Sequence, residues 1–108
     1  MIDQSMTMQT SLIHSAFQAL AQDQQLDIIT HGATLRLNDL NKRLFLAQSK
    51  VKVYEERYRT TLSILDSEGL PDNATIEMHE EYILWHHWNS VIMEISRLIA
   101  DLTPLVLQ

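Results

Sequence analysis

The segment from Leu37 to Leu65, LNDLNKRLFLAQSKVKVYEERYRTTLSIL, decides the fold. Apolar residues recur in it at alternating steps of three and four, which is the heptad pattern of a helix that packs along another helix. The members of this seam are Leu37, Leu40, Leu44, Ala47, Val51, Tyr54, Tyr58, Thr61 and Leu65. A helix of this length extends about 43 Å at ~1.5 Å per residue. Its apolar stripe therefore predicts a second long helix beside it.

A second seam with the same spacing occupies the C-terminal part of the chain. Its members are Met78, Trp85, Trp88, Ile92, Ile95, Ile99 and Leu102, with Glu81 as the polar member. Between the seams, Gly69 can close a helix, and the turn at 71–73 begins with a proline. Two long helices joined by a short turn favour an antiparallel pair. We therefore predict an all-α fold, a long coiled-coil-like helical hairpin with an additional N-terminal helix.

The expected bounds follow from capping residues and breaks. The 108 residues form a single helical domain in this interpretation, with residues 1–9 frayed and an N-terminal helix over 10–24. That helix carries a stripe predicted to be buried: Leu12, Ile13, Ala16, Phe17 and Leu20. The long helix covers 34–68 with a kink near residue 60, where two threonines disfavour helix interior, and the last helix covers 75–102.

Two segments keep alternative interpretations. Residues 25–35 can continue the long helix with a weak spot at Gly32, or form a short hairpin around that glycine. We favour a helix or helix-turn-helix in which Gly32 is a break or a C-cap. The apolar tail after Pro104, residues 103–108, can pack on its own chain or on a partner.

From the composition we expect a cytoplasmic protein. Cysteine is absent, so the sequence offers no disulfide or thiolate metal site. No basic segment precedes an apolar run at the N-terminus, and no apolar run approaches the roughly 18 to 20 residues of a membrane span. We expect no membrane association.

Charge is divided between the two long helices. Seven of the eight basic residues lie between residues 36 and 59, whereas eight acids and one base follow residue 60. One interpretation is that a basic and an acidic helix lie side by side and moderate each other. Another is that the acidic part meets a basic surface of a partner protein. Direct contact with nucleic acid is disfavoured, because the net charge of −6 repels phosphate.

Three short segments carry a resemblance to a known group of proteins. They are Tyr58-Arg59-Thr60-Thr61-Leu62, Gly69-Leu70-Pro71-Asp72 and His79-Glu80-Glu81-Tyr82-Ile83-Leu84-Trp85. Together with the upstream heptads, they resemble small helical antitoxin-type proteins encoded beside toxins in prokaryotic two-gene modules. The resemblance covers residues 36–100. Members usually end the coiled coil in Tyr-Gly, but Arg59 stands in place of that glycine, which puts a sharp helix break there in doubt.

What the resemblance implies is a chain that binds and neutralises a cognate protein toxin without catalysis. The residues themselves also favour a non-enzyme. The zinc motif His-Glu-x-x-His fails because position 83 is isoleucine. His79 and His86 are two turns apart, roughly 10 Å on one helix, which is too far for one metal ion. No nucleophile elbow or glycine-rich phosphate loop is present. We therefore expect no catalytic residue, metal ligand or cofactor.

Two sets of residues are predicted to bind other chains. An acidic and aromatic face of the last helix is assigned to the partner: Tyr82, Trp85, Trp88, Glu77, Glu80 and Glu81. A self-association seam is expected to make a homodimer: Leu37, Leu40, Leu44, Val51, Tyr54, Tyr58 and Leu65. The aromatic rings can instead fill the core of the hairpin. A coiled-coil adaptor of a larger assembly is the main alternative function, and a metal-dependent helical enzyme is a third.

Overall fold

The computed structural model describes the backbone of residues 4–107 and the side chains of residues 7–107. Over this range the chain is helical and contains no strand, which confirms the predicted all-α class. The elements are α1 (Gln4–Gln18), α2 (Gln22–Tyr58), α3 (Leu62–Glu68), α4 (Ile76–Leu102) and a 3₁₀ helix (Thr103–Leu105). Residues 4–9, which the sequence predicts to be frayed, are part of α1, while residues 1–3 and 108 lie outside the described residues.

Helices α2 and α4 pack along each other in antiparallel orientation. Tyr54 contacts Trp85 near the turn, whereas Leu40 and Ile95 line the same groove toward the other end of the pair. On α2 the buried side chains recur at every seventh residue: Ala33, Leu40, Ala47 and Tyr54. The two alanines let the helices approach closely, and burying Leu40 stabilises the fold by roughly 1.5–3 kcal/mol. The predicted hairpin is therefore present.

The break between α2 and α3 falls where the two threonines predict it. Arg59 adopts the left-handed conformation, with φ 50°, and so ends α2. Thr61 begins α3, because its Oγ1 accepts a hydrogen bond of 3.3 Å from the backbone N–H of Ile64. A left-handed arginine costs roughly 1–2 kcal/mol. The sharp break is thus made without the glycine that the resembling proteins have at this position.

The turn before α4 also matches its sequence signals. Gly69 closes α3 with φ 82°, and its N–H donates to the carbonyl of Leu65 at 2.7 Å. Thr75 caps α4, since its Oγ1 accepts from the N–H of Met78 at 3.1 Å. The last helix therefore covers Ile76–Leu102, against a prediction of 75–102.

The predicted break at Gly32 is wrong. Helix α2 begins at Gln22 and continues through Gly32, so residues 25–35 are helical and the hairpin alternative is also wrong. The turn lies earlier, between α1 and α2, where the side-chain Nε2 of Gln25 donates to the carbonyl of Leu20 at 2.9 Å. One glycine costs a helix only ~1 kcal/mol. Burial of the next residue, Ala33, on the seam opposes a break there.

The predicted N-terminal helix has the wrong bounds and an exposed stripe. It ends at Gln18 and not at residue 24, and it makes little contact with the other helices. Leu12 and Ile13 are 68% and 69% exposed, Ala16 is exposed, and Phe17 is only half-buried. The stripe was predicted from periodicity, which identifies an apolar face but does not supply the surface that covers it.

The chain's own helices do not bury its apolar surface completely. Its radius of gyration is 20.7 Å, against about 13 Å for a compact chain of this length. Its accessible surface is 8382 Å², against about 6,200 Å² for a compact monomer of this mass. The tail after Pro104 is only partly covered by the chain. Leu105 and Val106 are half-buried against the hairpin, whereas Leu107 is 75% exposed.

Substitution of Gly32 tests the continuous path of α2, and substitution of Gly69 tests the end of α3. Gly32→Ala should raise the free energy of unfolding by about 0.5–1 kcal/mol, because alanine favours helix interior and nothing lies within 4 Å of the added Cβ. Gly69→Ala should lower it, because the left-handed φ of 82° strains any side chain. Urea denaturation followed by circular dichroism measures both. Destabilisation by Gly32→Ala would indicate that α2 is interrupted there.

Candidate functional site

The end of the hairpin formed by the α2 C-terminus, α3 and the α4 N-terminus, here called the hinge end, contains an aromatic core. Its buried members are Tyr54, Leu62, Leu65 and Trp85. The ring centroids of Tyr54 and Tyr58 lie 5.7 and 6.4 Å from that of Trp85. Such spacing is typical of stabilising ring pairs. The heptad positions of both long helices thus meet in one aromatic cluster.

A carboxylate on α4 joins the two long helices. Glu81 accepts hydrogen bonds from the guanidinium of Arg57 and from the hydroxyl of Tyr58. The bond from Tyr58, followed by that from Arg57, holds the pKa of Glu81 below its usual range despite partial burial. The same carboxylate raises the pKa of Tyr58. The prediction that basic and acidic helices lie side by side is confirmed here, and this ion pair connects them.

A second carboxylate attaches α3 to α4. Asp66 accepts a hydrogen bond from the hydroxyl of Tyr82, and its Oδ1 lies 2.7 Å from Nε2 of His86. The bond from Tyr82 is the larger cause of a lowered pKa of Asp66, and His86 adds to it. The ring of Tyr82 also packs edge-on against His86. These contacts position α3 on the hairpin.

The aromatic and acidic face assigned to a partner is therefore divided between core and surface. Trp85 is 1% exposed, and the side chain of Glu81 is 13% exposed and bonded within the chain, so neither presents a surface to a partner. Tyr82 and Trp88 are half-buried against the aromatic core. The remaining members, Glu77 and Glu80, are exposed. Trp85 and Glu81 are thus corrected to internal roles, because the rings and the bonded carboxylate fill the hairpin.

The predicted self-association seam is likewise used inside the chain. Leu40, Tyr54 and Leu65 are buried against the hairpin's own helices. The other members are half-buried in the same packing: Leu37, Leu44, Val51 and Tyr58. Helix α4 supplies the partner surface that a second copy was expected to supply.

Two exposed isoleucines on α4, which the sequence did not single out, lie beside the predicted partner-binding residues Glu77 and Glu80. Ile76 and Ile83 are 79% and 68% exposed, and Glu77 and Glu80 lie beside them. We call these four residues the outer stripe. Among the described residues, no ion pair to either glutamate is formed. The signal was the spacing of seven between two isoleucines outside the seam, on a face otherwise polar.

The histidines of α4 do not assemble a metal centre in the part of the chain that the structure describes. His86 bonds to Asp66, His87 packs edge-on against Trp88, and His79 is exposed. None of the helices described is both long and apolar enough to pass through a bilayer. The contacts described at the hinge end are ring packing, ion pairs and hydrogen bonds.

Comparison with known proteins identifies no relative. No protein-family model, no curated protein and no solved structure matches the chain.

Acid should weaken the hinge end through Glu81. Its folded pKa is lowered, so its contribution to stability is complete above the ordinary glutamate pKa of about 4.3 and is lost as pH falls through the folded value. Glu81→Gln should cost roughly 1.5–3 kcal/mol at neutral pH, as expected for hydrogen bonds to a charged group. This difference from wild type should narrow below about pH 4.

Glu80→Gln is the matched control, since Glu80 is exposed one position away on the same helix. It should change the free energy of unfolding by less than about 0.5 kcal/mol at any pH. Denaturant midpoints measured across the acid range check both variants. Equal effects of the two substitutions would exclude a structural role for the Glu81 bonds.

Proposed function

We propose that this chain is a non-catalytic protein-binding module of the antitoxin type, which binds and neutralises a cognate protein toxin. The observation that carries the proposal is the outer stripe, where two exposed isoleucines lie beside two exposed glutamates on one rigid helix. An apolar centre with a charged rim is the usual anatomy of a protein interface. A free monomer gains nothing from exposing these isoleucines to water.

The chemistry of the stripe indicates the kind of surface it fits. Ile76 and Ile83 suit shallow apolar pockets, and the adjacent carboxylates suit a basic rim around them. A toxin that acts on nucleic acid carries such a basic surface, and an acidic binder can occlude it. The net charge of −6 adds long-range attraction to a partner of that kind.

The hinge end gives this stripe a fixed position. The Tyr82-x-x-Trp85 pair that carries part of the antitoxin resemblance lies at the aromatic core, where Trp85 is buried beneath the helix. Thr75 and the Arg57–Glu81 ion pair hold the first turns of α4 in place. In this proposal the aromatic residues hold α4 in position, and the outer stripe contacts the toxin. A preformed surface of this kind loses little conformational entropy on binding.

One observation favours a different function, a coiled-coil adaptor of a larger assembly. Helix α1 contains no Asp, Glu, Lys or Arg, and its side chains Met8, Leu12 and Ile13 are 64–69% exposed. A helix without these residues that contacts little of its own chain is a suitable element for insertion between other helices. The two functions are separated by the product of the adjacent gene, which is a toxin in the first case and an assembly component in the second.

Charge reversal on the outer stripe tests the proposed function. The full chain is co-expressed with the product of the adjacent gene, and the mass of the purified complex is measured. Glu77→Lys combined with Glu80→Lys should raise the dissociation constant of the complex at least tenfold. It should also make that constant less sensitive to salt, because the charges that attract the partner change sign.

Asp27→Lys combined with Glu56→Lys is the matched control. Both residues are exposed acids on α2, and the pair changes the net charge by the same amount as the reversal on α4. We expect the control complex to keep at least most of its affinity. An equal loss of affinity in both variants would show that binding depends on net charge and not on the outer stripe. Unchanged affinity in both would exclude the outer stripe as the binding site.

A further inference from the structure

A long groove lies open between α2 and α4 on the flank opposite α3. Helix α3 packs on the flank of α4 that carries Tyr82 and His86, and it does so at the hinge end. The groove follows the other flank and has a volume of about 350 Å³. Its lining includes Arg36, Arg43 and Leu46 from α2, and Val91, Glu94 and Leu98 from α4. On α4 the described lining of the groove begins at Trp88 and so lies beyond the outer stripe along the helix axis.

Apolar side chains continue along both walls of the groove beyond its described lining. Leu46 is 52% exposed, and Val53, seven residues later on the same line of α2, is 46% exposed. On α4, Leu84 is 47% exposed and lies seven residues before Val91. Residues seven apart share one face of a coiled-coil helix. The apolar line therefore extends toward the hinge end along both walls.

The two walls of the groove differ in charge. On the α2 wall, Arg36 and Arg43 share a single acid, Asp39, at 3.1 and 3.2 Å, so the group keeps a net positive charge. On the α4 wall, Glu94 is exposed and forms no ion pair among the described residues. One wall is thus basic and the other acidic at the same level of the hairpin.

We infer that this groove is the dimer interface of the protein, occupied by the same groove of a second copy. A twofold axis parallel to the helices places α2 of each copy opposite α4 of the other, so that each basic wall faces an acidic wall. A twofold axis across the helices instead opposes the two basic walls. The dimer is therefore a four-helix bundle in which Arg43 of each copy faces Glu94 of its partner.

The exposed area of the chain is sufficient for such an interface. The surface exceeds that of a compact monomer of the same mass by about 2,200 Å², and the exposed helix α1 accounts for part of this excess. A standard interface buries about 800 Å² on each partner. The apolar side chains of both walls form the centre of this interface, and the charged side chains form its rim. This is the arrangement found in stable interfaces.

This inference is tested separately from the proposed function, although Leu84, at the end of the apolar line, follows Ile83 of the outer stripe on α4. Ile83 and Glu94 are eleven residues apart, roughly 16 Å along the helix axis. Dimerisation is measured on the chain alone, whereas toxin binding requires the second protein. Failure of one therefore leaves the other open to measurement.

A mixing experiment tests the dimer. The mass of the wild-type chain in solution is measured by analytical ultracentrifugation over a wide concentration range and should reach twice 12.5 kDa. Arg43→Glu opposes two acids across the interface, and Glu94→Arg opposes two bases. Each variant alone should raise the dissociation constant of the dimer at least tenfold.

Mixing the two variants should restore the dimer. In the mixed species the Arg43→Glu substitution of one copy faces the Glu94→Arg substitution of the other, and the unchanged Arg43 and Glu94 face each other across the second contact. A bond within one chain cannot be restored by mixing, so recovery is specific to an interface between copies. Native mass spectrometry of variants with different masses identifies the heterodimer. Circular dichroism verifies that each variant remains helical.

Two control variants define the face that is used. Lys42→Glu makes the same charge change one residue from Arg43 but on an exposed position away from the groove lining, and should leave the dimer intact. Phe45→Gln removes a side chain that is 72% exposed outside the groove lining, and should also leave it intact. Leu46→Gln, within the groove, should dissociate it.

Three results would overturn the inference. The first is a wild-type chain that remains at 12.5 kDa at all concentrations. The second is a dimer that survives Arg43→Glu, Glu94→Arg and Leu46→Gln but dissociates with Phe45→Gln. The third is a pair of weakened variants that form no heterodimer when mixed.

Discussion

The antiparallel packing of α2 on α4 is the constraint on which the rest of the structure depends. Its buried positions on α2 recur every seven residues, and two of them are alanines that bring the helix axes together. Once Tyr54 is set beside Trp85, the register of both helices is fixed along their common length. The hinge-end bonds, the open groove and the outer stripe are consequences of that register. No other pair of elements in the described chain is in such extensive contact.

The same packing separates residues that stabilise the chain from residues that remain exposed. Trp85 and Glu81 face α2 and become internal, although aromatic and acidic residues on one short segment suggest a binding face. Ile83, two residues after Glu81 on the helix, faces water. Two neighbouring residues thus have opposite environments, because a rotation of about 200° separates them on the helix. The proposed toxin contact uses what the hairpin leaves exposed.

Much of the fold was predictable because local signals and the seam agreed. The heptads predicted the hairpin, and the two threonines near residue 60 and Gly69 predicted the break and the helix end that the structure contains. The cap of α4 is Thr75 and not a residue of the turn at 71–73. The candidate site was less predictable, since periodicity does not tell whether a stripe is covered by its own chain or by another. The break predicted at Gly32 was wrong for a similar reason. One glycine destabilises a helix only slightly, and the packing of the surrounding helix, which a residue pattern does not show, outweighs that effect.

The sequence by itself determined the helical class, the two long seams, the break near residue 60 and the unequal distribution of charge. These properties depend on residues close together in the chain, through side-chain periodicity, capping hydrogen bonds and backbone conformation. Only the tertiary structure decided that the seams are satisfied by each other, that α1 remains exposed, and that the two walls of the open groove carry opposite charge. Each of those depends on distant residues brought together by packing, and local preferences do not encode which surface meets which.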